Sequence, residues 1–239
     1  MAATLAARGG PVEVRAPLAG RLGAARRARF TARRGWSRMK RFAAPLLAGA
    51  LALCGALAGA PAARAADIWA GAYAHGVGTK QSQEGGADLM LGFETERLGG
   101  VFKYLFNPAV HGMVSFNTQV PTDFVAVGFD WPIPILHSEH WYLRPGIGFA
   151  GTTGKADVGS STDPRVSAAE RQRRAYLART RIDFGSHDLF EPELALGYKV
   201  NDTWKIEASY VHLSNGQILH SGKNQGLDDV GLRLMHRFR

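Results

Sequence analysis

The sequence predicts an all-β fold: an eight-stranded antiparallel up-and-down outer-membrane β-barrel behind a secretory leader. Three observations predict it. A basic Met39-Lys40-Arg41, an apolar run from Phe42 to about Ala60 and the small-x-small Ala63-Arg64-Ala65 make a three-part export signal. The chain beyond Ala65 has no apolar stretch long enough for a spanning helix. Instead, short segments of alternating apolar and polar residues recur, separated by Gly, Pro, Asn and Asp.

Three regions follow from this. Residues 1–38 are an Arg-, Ala- and Gly-rich leader with no hydrophobic period. This is either an over-long start, with Met39 the initiator, or an Arg-rich targeting sequence. Residues 39–65 are the signal peptide and 66–239 the barrel. The basic pI belongs to the leader: 12 of the 29 Lys/Arg but one of the 20 acidic residues precede Ala66. The mature part is slightly acidic, so the charge gives no support to nucleic-acid binding. Cys54 is the only cysteine and lies in the signal, so the mature chain forms no disulfide and no cysteine metal site. Leu51-Ala52-Leu53-Cys54 lacks the small residue a lipoprotein site needs before its cysteine.

Eight strands are expected, at 68–78, 87–96, 110–118, 123–131, 140–151, 189–200, 203–215 and 227–238. Most have about the 9–11 residues a tilted spanning strand requires. Leu89, Leu91 and Phe93 oppose Asp88, Met90 and Glu94. Val125, Val127 and Phe129 oppose Ala126, Gly128 and Asp130; Leu194, Leu196 and Tyr198 oppose Glu191 and Glu193; Leu232 and Leu234 oppose Asp229, Arg233 and Arg237. Period two puts each set on its own face. A soluble lipocalin-like barrel would turn the apolar face inward. The export signal, the aromatics Trp69, Trp131, Trp141, Tyr198 and Trp204, and a last strand ending on Phe238 favour apolar-out. Charges enclosed in a narrow lumen must then pair with one another. The tight Asn201-Asp202 turn and the long connection from Thr152 to Asp188 set the orientation, with the long loop outside. The segment from Arg97 to Ala109 is too long for a turn at the inner end and finds no explanation in the pattern.

The segment from Trp204 to Asn215 carries the chemistry. His212 and Ser214 share a face with Tyr210, Ala208, Ile206 and Trp204, the lipid side. They can act as base and nucleophile. The next strand offers an orienting acid. Asp228 shares the lipid side with Val230, Leu232 and Leu234, while Asp229 lies with Arg233 and Arg237 in the interior. Oxyanion donors are sought among the N–H groups at Asn215 and Gly216 and the Asn224 side chain. A hydrolytic group on a barrel's outer wall points to a membrane lipid as substrate. His75, His111, His137, His140 and His236 read as interfacial or solvated, and His220 as a loop residue near the site. Arg171, Arg173, Arg174, Arg179 and Arg181 read either as a solvated loop or as a phosphate-attracting patch.

The run His212-Leu213-Ser214-Asn215 followed by Asn224-Gln225-Gly226-Leu227-Asp228 resembles the signature of the outer-membrane lipid A 3-O-deacylases, the PagL-type acyloxyacyl hydrolases. The resemblance implies an eight-stranded barrel and a Ser/His/acid triad of Ser214, His212 and Asp228. It also implies that Asn224 stabilises the oxyanion. The acid is Asp where the best-known members carry Glu, one methylene shorter. The expected activity is release of the 3-position acyl chain from lipid A of lipopolysaccharide, without metal or other cofactor. The expected partners are lipid A and outer-membrane lipid, with no nucleic acid; a second copy in a homodimer is an open alternative. The alternative is a non-catalytic small barrel with a structural, adhesion or channel role. N-terminal sequencing of the membrane-fraction protein should begin near Ala66; a start upstream of Met39 would contradict the export signal.

Overall fold

The computed structural model describes residues 66–78, 84–119 and 122–238. The leader and signal assignments, Cys54 included, lie outside the described residues. Among these residues eight strands form the wall: β1 (Ala66–Ala74), β2 (Ala87–Thr95), β3 (Ala109–Asn117), β4 (Phe124–Asp130), β5 (Trp141–Thr152), β6 (Asp188–Lys199), β7 (Trp204–Leu213) and β8 (Leu227–Phe238). Each pairs antiparallel with its sequence neighbours. Ala66↔Phe238 through Ala74↔Val230 joins β1 to β8 and closes the barrel. Closure leaves no sheet edge unpaired, which a wall in lipid requires. Ile133–Pro134 extends the β4–β5 hairpin by pairing with Leu143 and Tyr142. No described helix is long and apolar enough to cross a membrane.

The alternation is borne out, with the apolar set outside. Leu89, Leu91, Phe149, Leu194, Ile206 and Leu232 are exposed on the wall. Asp88, Glu94, Asp130, Arg144, Glu191, Glu193, Glu207 and Arg233 are buried in the lumen. This is the reverse of a soluble barrel and is the arrangement a lipid surround selects.

The interior is a plug of paired charge. Glu207 accepts from Tyr142 Oη (2.7 Å), Arg144 Nε (3.2 Å) and Nη2 (3.1 Å), and Arg233 Nε (2.6 Å). Arg144 also reaches Asp130 (2.7 Å) and Glu193 (2.8 Å), and Arg233 ion-pairs with Glu193. The Arg233 guanidinium lies 4.4 Å from the centre of the Trp69 ring. Trp69 is therefore a lumen residue, not one of the outward aromatics. Both arginines are buried in the lumen among these carboxylates.

Four further expectations need correction. His75 and His111 are not interfacial: both are buried in the lumen. His75 meets Asp88 (2.8 Å) and Glu84 (3.4 Å), and His111 meets Asp130 (3.2 Å) and Glu191 (3.0 Å). Asp229 does face inward, but its partners are His75 (3.6 Å) and the Gly76 N–H (3.1 Å), because Arg233 is engaged with Glu207 and Arg237 with Asp67. The β6–β7 turn spans 200–203, where Asn201 Oδ1 accepts from the Thr203 and Trp204 N–H groups. Finally, the long β5–β6 connection contains a helix, α1 (Ala168–Thr180). Ser167 Oγ caps it by accepting from the Glu170 N–H at 3.2 Å.

The segment before β3 also takes a definite form. Gly100–Leu105 is a 3-10 helix, and the Leu98 N–H to Pro108 O bond (2.8 Å) ties its ends together.

Removing Arg144 would take the guanidinium from Asp130 and Glu94 and leave Glu193 and Glu207 to share Arg233 alone. Breaking such a buried set costs about 3–5 kcal/mol. Arg144→Met should lower the urea unfolding free energy of the vesicle-embedded barrel by that order. An unchanged midpoint would show that the lumen charges do not hold the wall together.

Candidate active site on the lipid face

His212 and Asp228 are directly opposed in the β7–β8 register. Opposed residues on one face have their Cβ atoms about 5 Å apart. The His212 Nδ1–H donates to Asp228 Oδ1 at 2.6 Å. A carboxylate can only accept here, so the proton sits on Nδ1 and Nε2 is left as the base. This direct opposition lets the short Asp228 side chain reach the ring.

A residue the sequence reading passed over completes the acid's setting. Tyr210 donates its hydroxyl to the same oxygen, Asp228 Oδ1, at 2.5 Å. Tyr210 sits diagonally across from Asp228, its direct partner being Val230. It lay on the expected face, but a diagonal contact has no signature in the spacing. Two donors on one oxygen fix the carboxylate and, through it, the imidazole.

Gly226 is the second such residue. A methyl group there would stand 2.6 Å from His212 Cε1. The imidazole lies flush against this backbone, in space only a glycine leaves open.

Ser214 lies on the same face, just past the end of β7. Its backbone makes a bridge with Phe190: Phe190 N–H to Ser214 O (2.7 Å) and Ser214 N–H to Phe190 O (3.2 Å). This carries the strand conformation two residues past His212 and preserves the alternation. No hydrogen bond joins Ser214 Oγ to His212 Nε2 among the described residues; catalytic hydrogen bonds often tighten only around substrate. Gly216 then turns the chain at φ +61°, the left-handed region that glycine adopts without strain.

The three candidate oxyanion residues divide. Asn215 is buried, and its side chain is committed to the carbonyls of Phe184 (2.7 Å) and Lys223 (3.0 Å). Its N–H is donated to Asn224 Oδ1 at 2.9 Å. Asn215 therefore supports the loop. Asn224 is held by its oxygen, with its Nδ2 still a donor.

Beside the site an open cleft of about 600 Å³ runs between the β5–β6 and β7–β8 connections, lined among others by Asp183, Gly185, His220 and Lys223. Lys223 Nζ lies 3.4 Å from Asp183. The arginines of α1 are not all free. Arg173 and then Arg174 hydrogen-bond to Glu170 and draw its carboxyl down to about 2. Arg181 is turned toward Glu84 at 3.9 Å.

Among the described residues two groups have spacing that a cation would fit: His75 with Asp88 and Asp229, and His111 with Glu191 and Glu193. Both lie in the lumen, away from the lipid face. In both, each ring nitrogen already meets a carboxylate. His140 stacks on Tyr198, and His236 packs between Trp204 and Phe238, as interfacial residues do.

Adding a methyl group at Gly226 should push the imidazole off Asp228. In Gly226→Ala the downfield Nδ1–H resonance of His212 should vanish while the heat-modifiable gel mobility of the folded barrel stays. Retention of that resonance would mean the ring does not depend on Gly226.

A family model described as lipid A 3-O-deacylase (PagL) matches residues 87–237. No curated protein matches the chain by sequence. Among solved structures, that of the outer membrane enzyme PagL is 13% identical, covers 71% of this chain and 97% of its own, and has a TM-score of 0.45. A de novo designed transmembrane β-barrel is 9% identical with coverages of 73% and 96% and a TM-score of 0.43. Ail of Yersinia pestis in a nanodisc is 14% identical with coverages of 73% and 99% and a TM-score of 0.38.

Proposed function

The chain belongs to the lipid A 3-O-deacylase family, and from that premise we propose that it is a serine esterase that removes the ester-linked 3-position acyl chain of lipid A. It is a β-barrel of the outer membrane, and family membership makes it a lipid A deacylase. The position of the ester and the serine mechanism are the proposal. The observation that carries it is the 2.6 Å His212–Asp228 bond on the lipid face of the wall, with Ser214 two residues along on the same face.

In this reading the connections bearing α1 and the 214–226 turn face outward, so the triad meets the outer leaflet. An acyl chain lies along the apolar wall and the phosphorylated sugar rests by the cleft with His220 and Lys223. Ser214 Oγ attacks the ester carbonyl carbon as its proton passes to His212 Nε2. The imidazolium that forms is stabilised by Asp228, itself held by Tyr210. The negative oxygen takes hydrogen bonds from Gly216 N–H and Asn224 Nδ2. Collapse breaks the bond to the sugar 3-oxygen, which leaves with the proton from His212. Water, deprotonated by His212, then attacks the acyl-Ser214 ester and releases the fatty acid. Every proton moves among Ser214, His212, substrate and water.

Lipid A mass spectrometry on cells carrying each variant tests this. Ser214→Ala and His212→Ala should abolish loss of the acyl chain while leaving heat-modifiable barrels. Asp228→Ala should cost on the order of 10⁴ in rate. Asp229→Ala should spare turnover, because that side chain faces His75 in the lumen. Full deacylation by Ser214→Ala would sink the serine mechanism.

Tyr210→Phe removes one hydrogen bond to a charged oxygen, a loss of about 1.5–3 kcal/mol. It should slow turnover by roughly 10- to 100-fold at unchanged KM. A change confined to KM would place Tyr210 against the acyl chain instead.

A further inference from the structure

Residues 98–108 form a knob at the end of the barrel opposite His212 and Ser214, and the deacylation reading gives them no task. The knob is tied at its neck. Arg97 donates to the carbonyls of Asn107 (2.8 Å) and Phe106 (2.7 Å), and Leu98 is bonded to Pro108. It leans outward over the wall and not across the lumen. The Phe102 ring lies 6.3 Å from that of Phe129, which is on the lipid side of β4. Trp131 Nε1–H donates to Leu105 O at 2.8 Å.

The surface this creates is apolar where a turn in water would be polar. Val101 is 76% exposed, Tyr104 77% and Phe106 79%, and the 3-10 helix buries no residue. Lys103 Nζ sits 5.0 Å from the centre of the Tyr104 ring. At the same end of the barrel Trp141, Tyr198, Trp204 and Phe238 ring the wall, each facing outward. Such a girdle marks the membrane–water boundary. The knob is continuous with that girdle through Trp131 and Phe129. Eight residues of β7 separate Trp204 from His212, about 26 Å along the strand and roughly 20 Å of height at the usual tilt. One end of this span is the girdle and the other the triad.

We propose that residues 98–108 are a phospholipid-surface anchor. Val101, Tyr104 and Phe106 enter the boundary between headgroups and acyl chains in the leaflet opposite the triad, and Lys103 meets a lipid phosphate. An amphipathic ring with its polar tip in the headgroups is the arrangement such a boundary favours. Because Arg97 and Trp131 lock the knob to the wall, its seating fixes the barrel's height in the bilayer. This holds whether or not the triad is catalytic.

The test uses the full chain with Cys54→Ser, so that an added cysteine is unique. Tyr104→Cys and Phe106→Cys are each labelled with a nitroxide and refolded into phosphatidylethanolamine/phosphatidylglycerol vesicles. Power saturation compares access of oxygen with access of a water-soluble nickel chelate. Leu196→Cys on the wall is the lipid reference and Asp157→Cys in the β5–β6 connection the water reference. Both knob labels should be relaxed more by oxygen than by the chelate, as at Leu196. Chelate access matching Asp157 at both positions would overturn the proposal. So would shielding from both agents, which marks contact with protein. Heat-modifiable mobility confirms that each labelled chain is folded.

Discussion

Glu207, gripped by Tyr142, Arg144 and Arg233, is the interaction on which the rest of this barrel depends. A wall surrounded by lipid gains little from burying apolar residues against lipid tails, so its order must come from backbone pairing and from what fills the bore. Here the bore is filled by ions from β2, β4, β5, β6, β7 and β8. A slip of one residue in any strand would turn its charges into hydrocarbon and its leucines into the ion network. The lumen network thus fixes the register of the outer face.

The consequence is clearest at two adjacent acids. Asp228 and Asp229 differ by one position in β8 and have opposite surroundings. Asp229 faces His75 and caps the Gly76 N–H. Asp228 faces lipid, where Tyr210 and His212 share one of its oxygens. The Val77 N–H bonds to Asp228 O, so the chain just past β1 clasps both residues from behind. The lumen thereby gives a rigid backing to a carboxylate on the outside of the wall. In this account the catalytic face needs no pocket of its own: the substrate is already in the solvent that bathes it.

Much of this was legible in the chain because period two is a strong and redundant signal. All eight strands and the outward parity of His212, Ser214 and Asp228 follow from alternation, with strand ends displaced by up to four residues, as at Ala74. Other features depend on contacts across the barrel that spacing cannot carry. His75 and His111 have no acidic neighbours at any telling interval, yet the β1–β2 hairpin brings Asp88 to the first and the closed wall brings Glu191 to the second. Tyr210 meets Asp228 on a diagonal. Trp69 has the aromatic character of a girdle residue, but its position in β1 turns it inward under Arg233. Helix α1 is polar on all sides, so it lacks the apolar stripe that announces a surface helix. Its one clue was Ser167 three residues before Glu170, a capping pair. The knob at 98–108 escaped because an apolar turn makes sense only against a membrane boundary.

The central claim is that Ser214, on the lipid face, is a nucleophile activated through His212. The most direct measurement is peptide mass spectrometry of the folded barrel after exposure in vesicles to a long-chain alkyl fluorophosphonate. The account predicts one adduct, on the peptide containing Ser214, formed far more slowly in His212→Ala and unaffected in Asp229→Ala. No adduct on the folded protein, or an adduct whose rate ignores His212, would contradict it.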